Sequence, residues 1–317
     1  MDNQHSVARL RAWLMAIRPQ TLPAGASPVI VGVGLAIHDG VFAVGPAVAA
    51  LLGALFLQIG SNFTNDYYDA IRGADTEDRE GFQRVTQSGL ISPKRVQGAI
   101  YVSFSLAALV GIYLVYIGGV PIIAVGLLSI LAGFAYTGGP YPFGYHGLGD
   151  LFVFIFFGLV AVTGTYYVQA VSTVATVGPI PISIPAGTVP VAAVVASLPA
   201  AALSTNILVV NNIRDLETDR ETGKRTLAVK IGYQWSRIEY TALLALSYLV
   251  PLVFAVCWQS VFPLTPLLTT PLAWRLWMTI REETTGEALN PALERTGKLL
   301  LAFSFLFAFG LATPSLI

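Results

Sequence analysis

The sequence predicts an all-α, polytopic membrane protein with nine transmembrane helices, its N-terminus in the cytoplasm, and one membrane domain over residues 1–317. Composition is the first reason. The chain is 55% hydrophobic and 11% charged, with a mean hydropathy of +0.68. Soluble domains carry roughly a quarter charged residues, so a chain this apolar calls for lipid as its solvent. The second reason is a series of long apolar runs, and the third is the way the cations fall between them.

A helix needs about 20 mostly apolar residues to cross the hydrocarbon. Nine runs meet that description: 21–37, 41–64, 98–117, 120–136, 151–170, 189–210, 240–258, 261–279 and 299–317. Pro263, Pro266 and Pro271 interrupt the eighth, which is read as a kinked span because neighbouring helices can re-satisfy the freed carbonyls. Residues 1–20 are polar and basic and lack the short apolar core of a signal peptide. The single cysteine, Cys257, excludes a disulfide framework and a thiolate metal cluster.

All 18 Lys and Arg lie in the N-terminal arm or around even-numbered gaps. Arg9, Arg11 and Arg18 precede the first span; Arg72, Arg79, Arg84, Lys94 and Arg95 follow the second. Arg214, Arg220, Lys224, Arg225, Lys230 and Arg237 surround the sixth gap, and Arg275, Arg281, Arg295 and Lys298 the eighth. Cations concentrate on the cytoplasmic side, which places the N-terminus and the even gaps there. The formal net charge is zero, and no nucleic-acid partner is expected.

Two cytoplasmic gaps carry the chemistry. They read SNFTNDYYDAIRGADTEDREGFQRVTQSG (61–89) and NNIRDLETDRETGKRTLAVKIG (211–232). Asn62, Asp66 and Asp69 stand at i, i+4 and i+7, one face of a helix; Asn212, Asp215 and Asp219 stand at i, i+3 and i+7, again one face. Two membrane helices thus each end in an amide and two carboxylates. Ionisable groups at membrane depth are costly and functional by default. Four bare carboxylates repel each other, and divalent cations between them remove the repulsion. Oxygen-only ligands without nearby His or Cys favour Mg²⁺, which prefers one or two carboxylates plus substrate phosphates. A phosphorylated ligand follows, its remaining charge met by Arg72, Arg79, Arg84, Lys224 and Arg225. Glu77, Asp78, Glu80, Glu217 and Glu221 read as ordinary solvated loop charges.

Asn65-Asp66-x-x-Asp69 and Asp215-x-x-x-Asp219 resemble the two aspartate-rich motifs of the UbiA superfamily of intramembrane prenyltransferases. The segments 18–24 (RPQTLPA), 84–92 (RVTQSGLIS), 136–150 (YTGGPYPFGYHGLGD) and 211–229 are similar to the branch that prenylates 1,4-dihydroxy-2-naphthoate in menaquinone synthesis. Gly73 stands where the general first motif has a third aspartate, with Asp75 the nearest substitute, and the Lys-Arg pair that many members carry after the fourth span is missing.

The resemblance implies a Mg²⁺-bound polyprenyl diphosphate held at Asp66, Asp69, Asp215 and Asp219, helped by Arg84, Lys224, Arg72 and Arg225. Ionisation of the allylic C–O bond, attack by an aromatic ring and loss of CO₂ would follow, in a multi-pass cell-membrane protein whose active site faces the cytoplasm. His146 stands as a candidate contact for the acceptor, at parity with a plain turn histidine. Tyr136 and Tyr141 are candidates against an interfacial anchoring role. Asn62 and Asn65 are read as orienting ligands or metal-bound water. A transporter is the main rival class, but it calls for charges near mid-span, and those positions are bare. Within the family, hydroxybenzoate, homogentisate, haem or glyceryl phosphate are the rival acceptors.

Overall fold

The computed structural model describes residues 2–73, 81–82, 84–173 and 181–313. Regular structure among these residues is entirely helical, and seven helices are long and apolar enough to cross a membrane. The first is Leu10–His38, where α1 (Asp2–Ile17) and α2 (Leu22–His38) meet at a 3₁₀ turn, Pro19–Thr21. Then come α3 (Val44–Ile71) and α4 (Pro93–Gly118). The shorter α5 (Val120–Ala135) follows. A π-helical turn, Ile155–Val160, joins α6 (Gly149–Phe154) to α7 (Ala161–Thr173) as one span. Beyond them lie α8 (Val191–Arg214), the short α9 (Leu216–Glu221), α10 (Leu227–Trp258), α11 (Thr270–Glu282) and α12 (Gly286–Ala312).

Seven of the nine runs read from the sequence correspond to the seven long helices. The run 120–136 forms α5, of 16 residues. The run 261–279 is divided: Phe262–Thr269 is a 3₁₀ helix, and α11 begins only at Thr270. Pro263 and Pro266 explain the division, since each lacks the N–H that an α-helix interior needs.

The bundle centres on α8, buried along most of its length, with α2 and α12 packed beside it. In lipid, helices gain little from burying apolar surface against each other, so close backbone approach at small residues holds them. A Cβ added at Gly34 would lie 2.5 Å from Ala308 Cα, and one at Gly158 would lie 2.0 Å from Ala201 Cβ. By contrast, α4 and α5 expose Leu109, Ile112, Leu127 and Leu131. A row of bare aliphatic side chains is costly in water and suits a lipid-facing surface.

The polar ends of α3 and α8 come together at one end of the bundle. At Asp215 (φ −91°, ψ 8°) the chain leaves α8, yet Asp219 N–H still donates to Asp215 O at 2.8 Å. Asp215 thus serves as the C-cap of α8 and the N-cap of α9. The Thr226 hydroxyl caps α10 by accepting from Val229 N–H, and α10 breaks at Gly232, whose φ of 78° an L side chain rarely adopts. Residues 136–148 cross this end and include a 3₁₀ turn, Phe143–His146.

Candidate functional site

The two acidic helix ends open on one cavity of about 240 Å³. Its polar mouth carries Asn62, Asn65 and Asp69 from α3 and Asn212, Asp215 and Asp219 from α8 and α9. Deeper in, Leu57, Ala132, Val153, Phe156, Phe157 and Leu208 make an apolar wall. The cavity thus joins a charged head region to a greasy hold.

Lys224 ties the motifs together. Its ammonium lies 3.4 Å from Asp69 Oδ2 and 3.8 Å from Asp219 Oδ1, and all three side chains are close to fully buried. Asp69 also takes 3.3 Å from Arg84 Nη2 and accepts a 2.6 Å hydrogen bond from the Tyr145 hydroxyl. The Tyr145 ring packs under both Lys224 Nζ, at 4.9 Å, and the Arg72 guanidinium, at 5.3 Å. Asp215 is held in a fork by Arg214: Nε to Oδ1 at 2.7 Å and Nη2 to Oδ2 at 2.8 Å. Arg214 is itself anchored by Asn290 and Asn211, at 2.8 Å each.

Asp66 sits differently. It is buried, but its Oδ2 accepts from the Thr86 hydroxyl at 2.6 Å and from Thr86 N–H at 3.2 Å, and it does not line the cavity. The structure therefore gathers Asp69, Asp215 and Asp219 at the cavity wall and turns Asp66 toward the loop after α3. Asn62 donates to Ile17 O at 2.8 Å and to Thr21 Oγ1 at 3.0 Å, pinning α3 to the 3₁₀ turn. Asn65 accepts from Thr137 Oγ1 at 2.9 Å.

Arg72 reaches away from the cavity and donates to Thr137 O, at 2.6 Å, and to Gly139 O, so it clamps the 136–148 segment over the site. Arg225 is exposed and off the cavity; only its N–H takes part, donating to Tyr145 O at 2.9 Å. Tyr136 lines the wall. His146 does not: its Nδ1 lies 2.8 Å from Pro142 O and its ring stacks on Tyr141 at 3.7 Å. Asp75 and Arg79 fall outside the described residues.

Several contributors carry no distinguishing signal in the sequence. Tyr145 is next to His146 in the same Gly/Pro/Tyr segment, and nothing in the spacing distinguishes it. Thr86 lies in the RVTQSG stretch as an ordinary polar residue. Arg214 stands in the sequence as one loop cation among several. Arg18, at the α1–α2 junction, has a φ of 56°, a conformation non-glycine residues adopt at a cost. That geometry accompanies its place on the cavity wall.

The donors at the wall are oxygens from carboxylates and amides, with no histidine or cysteine. Among the described residues no group of three or more His, Cys, Asp or Glu is arranged to hold a metal alone. A hard cation that takes one or two carboxylates and completes its shell with ligand oxygens and water suits such a wall. A soft or fully protein-caged metal does not.

A charged mouth joined to an apolar wall suits an amphiphile with an anionic head, and the class so defined is a membrane-embedded enzyme or carrier of such molecules. The chain belongs to the UbiA prenyltransferase family, whose model matches residues 26–292. It is 39% identical over 308 residues to the 1,4-dihydroxy-2-naphthoate octaprenyltransferase of Mycobacterium tuberculosis, covering 96% of this chain and 98% of that one. It is 36% identical to the protein of the same name from Escherichia coli, with 97% of each chain covered. A solved structure of a UbiA homolog from Archaeoglobus fulgidus bound to GPP and Mg²⁺ shares the fold, with a TM-score of 0.58, 17% identity, and coverage of 93% of this chain and 99% of that one.

Proposed function

We propose that the protein transfers a polyprenyl group from polyprenyl diphosphate to 1,4-dihydroxy-2-naphthoate with loss of CO₂, giving demethylmenaquinol, in a Mg²⁺-dependent reaction. One observation carries the reading: Asp69 and Asp219, from motifs far apart in the chain, converge on the single Lys224 ammonium at the mouth of an apolar cavity. A mouth lined by fixed cations and carboxylates is built for a diphosphate with its counterion, and the apolar wall for an isoprenoid.

Asp69, Asp215 and Asp219, with the amides of Asn62 and Asn65, are the residues that would hold the metal and its water shell. When bound, Mg²⁺ supplies charge neutralisation at the diphosphate oxygens. Lys224 and Arg84 supply the rest from the protein, as preorganised cations facing the charge that develops as the allylic C–O bond breaks. Tyr145 and Arg214 keep Asp69 and Asp215 in place. Phe156, Phe157 and Leu208 exclude water that would quench the allylic cation. The acceptor ring then attacks through the carbon bearing its carboxylate, and departure of CO₂ restores aromaticity. The naphthoate acceptor is favoured by the names of the two bacterial relatives and by segments 84–92 and 136–150.

The same reading places the chain in the cell membrane with nine crossings. α5 is about 24 Å long at 1.5 Å per residue and serves as a short crossing; the 3₁₀ helix Phe262–Thr269 with α11 serves as another. The alternation of Lys and Arg between spans supports a cytoplasmic N-terminus and a cytoplasmic site. The test is an acceptor panel. Purified protein with geranylgeranyl diphosphate, Mg²⁺ and carboxyl-labelled dihydroxynaphthoate should release labelled CO₂ in step with prenylated product. Turnover with only a different acceptor overturns the acceptor assignment, and turnover unchanged by a chelator overturns the metal assignment.

A further inference from the structure

Near the end of the bundle that carries the acidic motifs, where α10 begins and α11 stops, the two helices leave a crease of about 600 Å³ between them. That volume lies within the range of about 300–1,000 Å³ of ligand sites. Gln234, Arg237, Ile238 and Thr241 stand at i, i+3, i+4 and i+7 on α10, and Trp277, Ile280 and Arg281 at i, i+3 and i+4 on α11, so each helix gives the crease one face. Side-chain bonds fix the helices to each other. Arg237 Nε donates to Ile280 O at 3.0 Å and its Nη2 to Glu283 O at 3.2 Å, satisfying carbonyls that the end of α11 leaves unpaired. Trp277 Nε1 donates to Thr241 Oγ1 at 3.1 Å. The Arg281 guanidinium lies 5.2 Å from the centre of the Trp277 ring, and among the described residues that ring is its one partner. The lining thus carries two guanidinium groups and no carboxylate, and among the described residues neither cation forms an ion pair.

The surroundings of the crease are those of a membrane interface. Trp274 packs its ring 4.9 Å from that of Trp277, and Trp235 follows Gln234, so three of the chain's five tryptophans gather here, Trp235 and Trp274 largely exposed. Tryptophans concentrate at the level of lipid headgroups. Exposed Ile238, Ala242, Ala245, Leu249, Leu252 and Val256 then follow one another along α10, four and three residues apart in alternation. They form a continuous apolar strip on one side of the helix that leads away from the two arginines.

We propose that the crease is a binding site for the headgroup of an anionic phospholipid of the surrounding bilayer. The phosphate sits between Arg237, which keeps Nη1 for the ligand, and Arg281, since the planar guanidinium fork matches phosphate oxygens. Gln234 and Thr241 offer neutral hydrogen bonds to headgroup hydroxyls and ester oxygens, and an acyl chain lies along the α10 strip. Basic pockets between membrane helices take such headgroups. A free phosphate matches the arginines alone and leaves the strip uncovered, whereas a phospholipid accounts for both. No residue of the crease lines the cavity of the acidic motifs, so the inference stands apart from the prenyl-transfer reaction.

The test uses the full chain in a non-ionic detergent, titrated with dioleoylphosphatidylglycerol or dioleoylphosphatidylcholine, with the affinity for the first bound lipid read by native mass spectrometry. A basic group at an anionic lipid surface is worth about a fivefold change in affinity, so the pair gives about 30-fold. The first phosphatidylglycerol should bind tighter than the first phosphatidylcholine by about that factor. Arg281→Gln should cut the preference about fivefold, and the double variant Arg237→Gln, Arg281→Gln should bring the two lipids within about twofold of each other. Arg275, exposed on the opposite side of α11 and outside the crease, serves as the control: Arg275→Gln should keep the preference. Equal affinity for the two lipids in the wild-type protein, an unchanged preference in Arg281→Gln, or an equal loss in Arg275→Gln overturns the proposal. Inorganic phosphate at millimolar concentration should leave the bound lipid in place, and its displacement overturns the lipid assignment. Arg237 also closes α11, so should the double variant fail to fold, Arg281→Gln decides by the same criterion.

Discussion

Replacing Lys224 with methionine keeps the length and apolar stem of the side chain and removes a cation that both acidic motifs share. The ammonium stands 3.4 Å from Asp69 and 3.8 Å from Asp219. At an effective dielectric of about 20, those contacts correspond to roughly 5 and 4 kcal/mol of gross attraction. Desolvation takes back much of this, and truncating one partner of a buried pair costs about 3–5 kcal/mol in practice. Asp69 retains Arg84 and Tyr145, which favours the lower half of that range. A diphosphate approaching the variant meets two carboxylates without their shared counter-charge. At about 1.4 kcal/mol per decade, affinity for prenyl diphosphate should fall about 100- to 1000-fold. Titration of purified protein in nanodiscs with a non-hydrolysable prenyl diphosphate, at fixed Mg²⁺, reads this directly. Binding within threefold of wild type would make the ammonium a structural brace and no part of the anion site.

Asp215→Asn should reduce prenyl transfer at least about 10³-fold while the protein still inserts in membranes; retained turnover would remove Asp215 from the metal-holding set. Thr86→Val strips Asp66 Oδ2 of its hydroxyl donor, so a loss of about 1–3 kcal/mol in stability is expected, seen as a lower thermal midpoint at a constant diphosphate affinity. Arg225→Ala, which removes an exposed side chain off the cavity, should cost diphosphate affinity at least tenfold less than Lys224→Met in the same titration. Gly158→Val places a side chain where Ala201 already is; the α6–α7 span would be forced off α8, and size-exclusion profiles should show loss of a monodisperse species.

Much of the fold could be read from sequence because the signals are long. A run such as 98–117 or 189–210 is apolar over a full bilayer width, and α4 and α8 follow it closely. Where proline clusters, as at Pro263 and Pro266, local chemistry outweighed hydropathy and the helix became 3₁₀. The acidic motifs were legible for the same reason as the helices: spacing on a helix fixes the face. Asn212, Asp215 and Asp219 all line the cavity although Asp215 separates α8 from α9. For Asp66 the face did not predict the partner. A carboxylate on the right face still turns to whichever donor the fold brings up, and Thr86 comes from a loop with no periodicity. Tyr145 against His146 makes the same point, since adjacent residues in a turn point to opposite sides and no pattern chooses between them.

In the proposed reaction both acidic motifs serve one diphosphate. A structure of the protein with a prenyl thiolodiphosphate and Mg²⁺ tests it most directly. The prediction is a diphosphate in the mouth of the cavity, with a metal about 2.0–2.1 Å from at least one carboxylate oxygen of each motif and Lys224 within hydrogen-bond reach of the phosphates. A diphosphate bound by one motif alone, with the other carboxylates turned to solvent, would contradict the account.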